Sequence, residues 1–496
     1  MALGTIPNDV RVPLVYIDID NSQALSGSIA QDQNVLLFGQ MTPSGPDAGT
    51  ATPETVVEIP SSESAIDDLF GKGSLMALSA KRYRKANSST RTFAIASGYL
   101  VSGAAATGSI TISGSPSVAG VIYLLIAGQL VQVAASTSDV ANTIAVKMAS
   151  VINSNKNLPV TATVDSVNTA KVNLIAKWSG LTGNDIDLRH NYYAGEQLPP
   201  GVTITTVAMT GGSGTPDMAA LIAAMPDEWY NHIMMPFNDT ASLNTLRDEL
   251  LERWGPLKMS EAIAYTAFRG TYGETITFGE GRNDFLLSCM GTSKSPSPSW
   301  EFAASYCGIA AYHLAIDPAR PLQTLALPGI LAPAKADRFA FDERNNLLKS
   351  GIATYQIQPG DVVAIEREIS MYQENAFGDP DPSYLDITTP ATLGKMRYDI
   401  KVMVTNRYPR HKLADDNVLA QIDPAQPVVT PKLMEQAILE VALGWVTSGL
   451  MENFDLFKET LNVYRDTADR NRLNCVCHPD VVNQLRVFAA LIQFKL

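Results

Sequence analysis

The sequence predicts a multidomain chain of mixed α/β and α+β class, and three observations carry that reading. With 496 residues, 46% hydrophobic and 18% charged, the chain is globular and long enough for several domains. Its apolar residues switch repeatedly between a period of two and a period of 3.6, so strands and helices alternate. Between Arg91 and Asp139 there is no charged residue, and Gly, Ser, Ala and Thr dominate, which sets one segment apart from the rest.

Residues 1–20 read as an extended N-terminal arm. Val10, Val12, Leu14, Tyr16 and Ile19 favour β-structure, while Pro7 and Pro13 bar a central strand position. The first part of an α/β domain is expected over 21–99. Asn34–Gln40 is a buried strand, 42–53 a Pro/Gly/Thr-rich loop and Val56–Ile59 a second strand. Ala65, Ile66, Leu69 and Phe70 mark a short helix behind Ser61 and Ser62; a helix over 74–86 and a strand at Thr92–Ala96 follow.

Residues 100–210 are expected to form an inserted small α+β domain facing outward. Strands are predicted around Ile110 and Ile112, at Val172–Trp178, at Ile186–Tyr192 and at Val202–Ala208. The apolar run Val118–Leu130 is too short and too Gly-broken to span a membrane and reads as a β-hairpin. Ala141, Ile144, Ala145, Met148, Val151 and Ile152 keep helical spacing, and Gly211-Gly-Ser-Gly is expected to be a flexible exit.

Over 211–340 the second part of the α/β domain is expected, with a parallel-leaning sheet. A helix capped by Thr215, a strand at Ile233–Met235 and a helix from Asp239 to Gly255 come first. Strands at Ala262–Phe268 and Phe285–Met290 bracket a turn-rich piece, and a long helix runs over Ser299–Ile316. A C-terminal core domain is expected over 341–484. It contains a hairpin turning at Gln358–Asp361 and two helices started by Thr389-Pro390 and Thr430-Pro431. The first of these would bury Leu393, Met396, Ile400 and Met403. Residues 485–496 close the chain as a C-terminal β arm in which Val487, Phe488, Leu491 and Ile492 leave both faces apolar.

The residues give no support to catalysis, a cofactor or a metal. The net charge of −13 argues against nucleic acid as a partner, because phosphate neutralisation needs clustered cations. Gly71-Lys-Gly-Ser74 lacks the loop length and the hydroxyl after lysine of a phosphate loop, and Gly279-Glu-Gly281 reads as a turn. The five histidines are scattered, with neither a zinc-protease nor a hydrolase motif around any of them. Asp379-Pro-Asp381 reads as a solvated loop, Cys289 and Cys307 as buried apolar groups, and Cys475 and Cys477 as thiols on one face of a strand. No secretion signal is visible at the N-terminus, and no membrane partner is expected. An α/β enzyme with a spatially assembled site is the alternative from another class.

Both termini are β-rich and apolar, with no neighbour in sequence to form a hairpin. Exposed apolar strands aggregate unless paired, so strand addition to another copy of the chain is one resolution, and completion of the chain's own sheets is the other.

The chain resembles the contractile tail sheath proteins of phages, in particular the Mu-like group. The residues that carry the resemblance are Ile6-Pro-Asn-Asp-Val-Arg-Val-Pro13, Val15-Tyr-Ile, Asp20-Asn-Ser, Val35-Leu-Leu-Phe-Gly-Gln40, Arg407-Tyr-Pro-Arg-His-Lys-Leu-Ala-Asp415, Val429-Thr-Pro431 and the terminal Arg486–Leu496. The resemblance implies a non-enzymatic virion subunit assembled in the host cytoplasm as stacked hexameric rings around a tail tube. It implies contraction that drives the tube through the host envelope during genome ejection, and arms that join neighbouring subunits. It also implies baseplate and tail terminator proteins as partners. A tailocin or bacterial injection-system sheath would share core and arms. In related sheaths a basic helix of the C-terminal core faces the tube. The best match is the helix begun by Thr389-Pro390, with Arg397 and Lys401 on one edge and Arg407, Arg410 and Lys412 at and beyond its end.

Overall fold

In the computed structural model of the chain, residues 31–100, 102–421, 423 and 425–495 are described. The expected arm strand with Val10, Val12, Leu14 and Tyr16 lies outside them. The described chain divides into two compact units. One comprises Gln33–Gly394 together with the chain from Val481 onward, and the other comprises Lys395–Asp480.

The first unit begins with β1 (Asn34–Gln40) and β2 (Val56–Glu58), then α1 (Glu63–Phe70), α2 (Leu75–Ala86) and β3 (Arg91–Ser97). Ser74 starts α2 by accepting the Ala77 N–H at 3.1 Å, satisfying one donor that a helix start leaves open. Val35 and Leu37 pack in one apolar cluster while Leu36 and Phe38 pack in another, so β1 is buried on both faces. That is why its sequence is continuously apolar instead of alternating.

Residues 105–210 build two sheets and a helix. The strands are β4 (Ala105–Gly114), β5 (Gly120–Ile126) and β6 (Gln129–Ala135), then β7 (Val160–Val164), β8 (Lys171–Ser179), β9 (Leu188–His190) and β10 (Val202–Thr210). One sheet has the order β10-β4-β8-β7 and the other β6-β5-β9, all with antiparallel neighbours. The predicted hairpin is β5–β6, and helix α3 (Ala141–Ser154) buries Ile144, Ala145, Met148 and Ile152 as its spacing requires. The sequence reading missed β7.

The exit from this segment is fitted, which corrects the reading of Gly211–Gly214 as a flexible joint. Asn184 holds Gly212 at both ends, accepting its N–H at 2.8 Å and donating to its carbonyl at 3.0 Å. A Cβ on Gly212 would come within 2.5 Å of the Gly180 carbonyl. The segment is also fastened to the helix that follows it in the core. Trp178 meets Trp300 edge to face at 5.5 Å, and the half-buried Asp185 carboxylate accepts the Ser299 hydroxyl. Burial pushes the Asp185 carboxyl above its ordinary pKa. Arg269 joins Asp187 at 2.6 Å, adding an ion pair to the same contact.

The chain continues through α4 (Met218–Ala223), β11 (His232–Met234), α5 (Thr240–Trp254), β12 (Ile263–Phe268), α6 (Tyr272–Glu280), β13 (Leu287–Gly291) and α7 (Ser299–Ile316). The cap of α4 is Asp217, not Thr215: its carboxylate takes the N–H groups of Ala219 and Ala220. The turn-rich piece expected after β12 holds α6, started by a Thr271/Glu274 capping box. The six-stranded sheet has the order β13-β12-β11-β1-β3-β2, parallel except for its antiparallel edge strand β2. Helix α7 is buried almost all round, in keeping with its near-continuous apolar sequence.

Helix α8 (Phe341–Lys349) and the hairpin β14 (Thr354–Gln358) with β15 (Val362–Arg367) also belong to this unit. The expected start of a C-terminal domain at 341 is therefore corrected. Ala353 bridges Met290 in parallel, and the Ala353 N–H donates to Cys289 at 2.9 Å, so the hairpin is stitched to the edge of the main sheet. The expected end of that domain at 484 moves likewise, because the chain from Val481 onward returns to the first unit.

The division falls inside α9 (Thr388–Arg407), between Gly394 and Lys395. The second unit continues with β16 (Lys412–Leu413), β17 (Val428–Val429), α10 (Pro431–Thr447), β18 (Met451–Glu452), α11 (Phe454–Thr460), β19 (Asn462–Arg465) and β20 (Leu473–Val476). Met396, Met403, Met434, Ile438, Trp445 and Phe457 are its buried residues of most weight. Of the four residues expected to be buried on α9, Met396 and Met403 are buried, while Leu393 and Ile400 are half-buried.

Candidate assembly surfaces

The C-terminal segment combines apolar side chains with near-complete exposure. Val487 is 80% exposed, Phe488 84%, Leu491 83% and Ile492 86%. A Leu, Ile or Phe left in water forgoes about 1.5–3 kcal/mol of burial free energy, so four together are costly in a soluble chain. Among the described residues, 485–495 form no strand. The expected β arm thus has no ladder partner among the described residues, and a strand needs a hydrogen-bonded neighbour.

Its root is held differently. Arg486 donates to Glu368 at 2.6 Å, to Asp386 at 2.9 Å and to Gln484 at 3.1 Å. Glu368 is fully buried and also accepts the Leu322 N–H at 3.0 Å. Asp386 is shared with Arg367 through two hydrogen bonds of 3.1 and 3.0 Å. Gln484 donates to the Thr388 hydroxyl, and Gln323 donates to the Leu485 carbonyl at 3.3 Å. The sequence reading did not single out this network. The available signal was one cation standing immediately before an apolar run.

The second candidate surface is the basic stretch on and after α9. Lys401 and Arg410 are exposed and Arg397 is half-buried. Arg407 forms a two-pronged pair with Glu440 on α10 at 2.5 and 3.0 Å. The Glu440 hydrogen bond holds the guanidinium above its ordinary pKa, and the Arg407 hydrogen bond holds the Glu440 carboxyl below its own. Arg407 is thus partly neutralised within the chain. Lys412 donates to Gln426 at 2.8 Å from strand β16. Asp399, a local acid near Arg397 and Lys401, is taken by Lys395 and by the Trp445 indole N–H at 3.0 Å.

Nothing else in the described residues assembles a reaction centre. An open cleft of about 780 Å³ lies along β2, but its Arg84 donates to the Thr90 carbonyl at 3.1 Å and its Arg91 pairs with Glu58 at 3.1 Å. The neighbouring thiols of Cys475 and Cys477 perturb each other, the first raised and the second lowered to about 7. No group of three or more His, Cys, Asp or Glu residues placed to hold a metal occurs among the described residues. None of their helices is long and apolar enough to cross a membrane.

The phage tail sheath protein central domain matches residues 211–371, and the phage tail sheath C-terminal domain matches residues 379–495. The Mu-like prophage FluMu tail sheath protein of Haemophilus influenzae is 41% identical over 496 residues, covering 100% of both chains. Among solved structures, a sheath tail protein from Desulfitobacterium hafniense aligns with a TM-score of 0.48 at 11% identity, over 94% of this chain and 100% of that one. The contracted helical sheath of the anti-feeding prophage aligns with a TM-score of 0.48 at 11% identity, over 98% and 99%. Full-length identity to a sheath protein, together with two matched sheath domains, shows that the chain belongs to the phage tail sheath family, as a structural tail protein of the Mu-like kind and not an enzyme.

Proposed function

We propose that the chain polymerises as stacked hexameric rings around a tail tube and contracts to drive that tube through the host envelope. The C-terminal segment carries this reading: it is apolar, exposed and, among the described residues, without a strand partner. Strand addition to a second copy satisfies both its backbone and its side chains. The N-terminal residues Val10, Val12, Leu14 and Tyr16 serve the neighbouring copy in the same way. A joint whose two halves are different surfaces propagates a helix wherever its rotation does not close into a ring. Assembly takes place in the host cytoplasm, with the baseplate at one end and a terminator at the other. Residues 100–210 face outward, and the basic stretch around Lys401, Arg407, Arg410 and Lys412 faces the tube. The extended state persists through a kinetic barrier.

Purified chain examined by negative-stain microscopy tests the reading. Tubes or long polymers are expected from the full chain, and small soluble particles from a chain ending at Arg486. Equal polymerisation of both would exclude the C-terminal segment as a joint.

A further inference from the structure

We propose that Arg486 is a pin that fixes the root of the C-terminal segment, so that the free arm begins at Val487. This deepens, and rests on, the reading of that segment as a joint between copies. The observation is a sharp change over two residues. Arg486 reaches Glu368, Asp386, Gln484 and Gln323, while Val487 and Phe488 beyond it are 80% and 84% exposed. Glu368 is fully buried and its Oε1 also accepts the Leu322 N–H, so its position is set by the core and not by the arm. Asp386 is likewise held by Arg367. The guanidinium therefore enters a preformed acceptor made of two carboxylates, which fixes its direction as well as its place. Gln484, tied to the Ala319 carbonyl at 3.3 Å and to Thr388, clamps the chain two residues earlier.

The consequence is entropic. An arm free from residue 481 onward would search a larger volume and lose more conformational freedom on docking than one launched from a fixed point at 486. Pinning raises the effective concentration of the apolar residues at one place on a neighbouring copy. Arg486 is thus a positioning residue for assembly that makes no contact with the neighbour itself.

Trypsin reads the pin directly, because it cleaves after Arg486 and after Lys495. Lys495 is exposed in the same segment and serves as the internal reference. In the full soluble chain, cleavage after Arg486 is expected to be at least tenfold slower than after Lys495, followed by intact-mass spectrometry. Glu368→Gln should raise the Arg486-to-Lys495 ratio about tenfold. Asp386→Asn, at a partly exposed site that tolerates the change, should raise it several-fold even if Glu368→Gln folds poorly. Polymer yield at fixed concentration should fall several-fold in Asp386→Asn. A ratio that is near one in the parent chain, or unchanged in Asp386→Asn, overturns the pin and leaves the joint standing. A chain ending at Arg486 that still polymerises overturns the joint, whatever the ratio does.

Discussion

His232 shows how strongly one buried position can couple stability to acidity. It lies on β11 with Nδ1 at 3.1 Å from the Tyr265 hydroxyl, and burial alone pulls its pKa down to about 3. An unfolded chain protonates this imidazole near pH 6.5. Between pH 6.5 and about 3 the unfolded state therefore binds a proton that the folded state refuses, so stability is complete above 6.5 and falls as pH drops toward 3. The local slope approaches about 1.4 kcal/mol per pH unit. His232→Asn keeps an amide where Nδ1 stands and removes the titration. Urea midpoints of the variant measured from pH 6.5 to 4 should fall less steeply than those of the parent chain. Parallel slopes would mean that the imidazole is not the group responsible.

Among the elements, the joint at Gly212 separates a tethered insertion from a fitted one. A side chain there meets the Gly180 carbonyl and the Asn184 side chain, at 2.5 and 2.9 Å from a Cβ. Gly212→Val should cost about 1–3 kcal/mol, the range for forcing atoms into a packed site, measured by urea denaturation. A flexible tether would lose nothing. The same element shows where sequence reasoning stops. Glycine after glycine reads locally as a hinge, and only the distant Asn184 and Gly180 turn it into a close approach. Helix α5 was legible because Asp239, Leu243, Leu246, Leu250 and Gly255 agree on cap, stripe and end. Helix α6 was not, although Thr271-x-x-Glu274 spelled its capping box, because Gly273, Thr275, Thr277 and Gly279 are poor helix formers. Gly279 is needed because a Cβ there would fall 2.1 Å from the Ser350 carbonyl, a contact no local pattern announces. The place of the β14–β15 hairpin and the Arg486 network depend in the same way on partners far off in sequence, whereas the exposed apolar run after Arg486 was readable residue by residue.

For the whole molecule, the proposed contact with a tail tube is a question of charge. In a chain of net charge −13, the stretch from Lys401 to Lys412 collects four cations, and on the proposed reading these would attract an acidic surface. Within it the contributions differ. Arg407 is already paired with Glu440, and an exposed pair of that kind contributes little by itself. Lys401 and Arg410 are exposed and lie before and after that pair, so they are the positions where a change of sign alters the outward field without opening the core. Lys401→Glu combined with Arg410→Glu should leave self-polymerisation intact. The same variant should fail to assemble on purified tubes, with association reduced at least tenfold in a co-sedimentation assay. Association of the parent chain should weaken as salt rises from about 0.05 to 0.5 M, because screening shortens the reach of exposed charges to a few ångströms. Normal decoration of tubes by the double variant would move the gripping surface elsewhere. Loss of self-polymerisation would instead place these cations between copies of the chain.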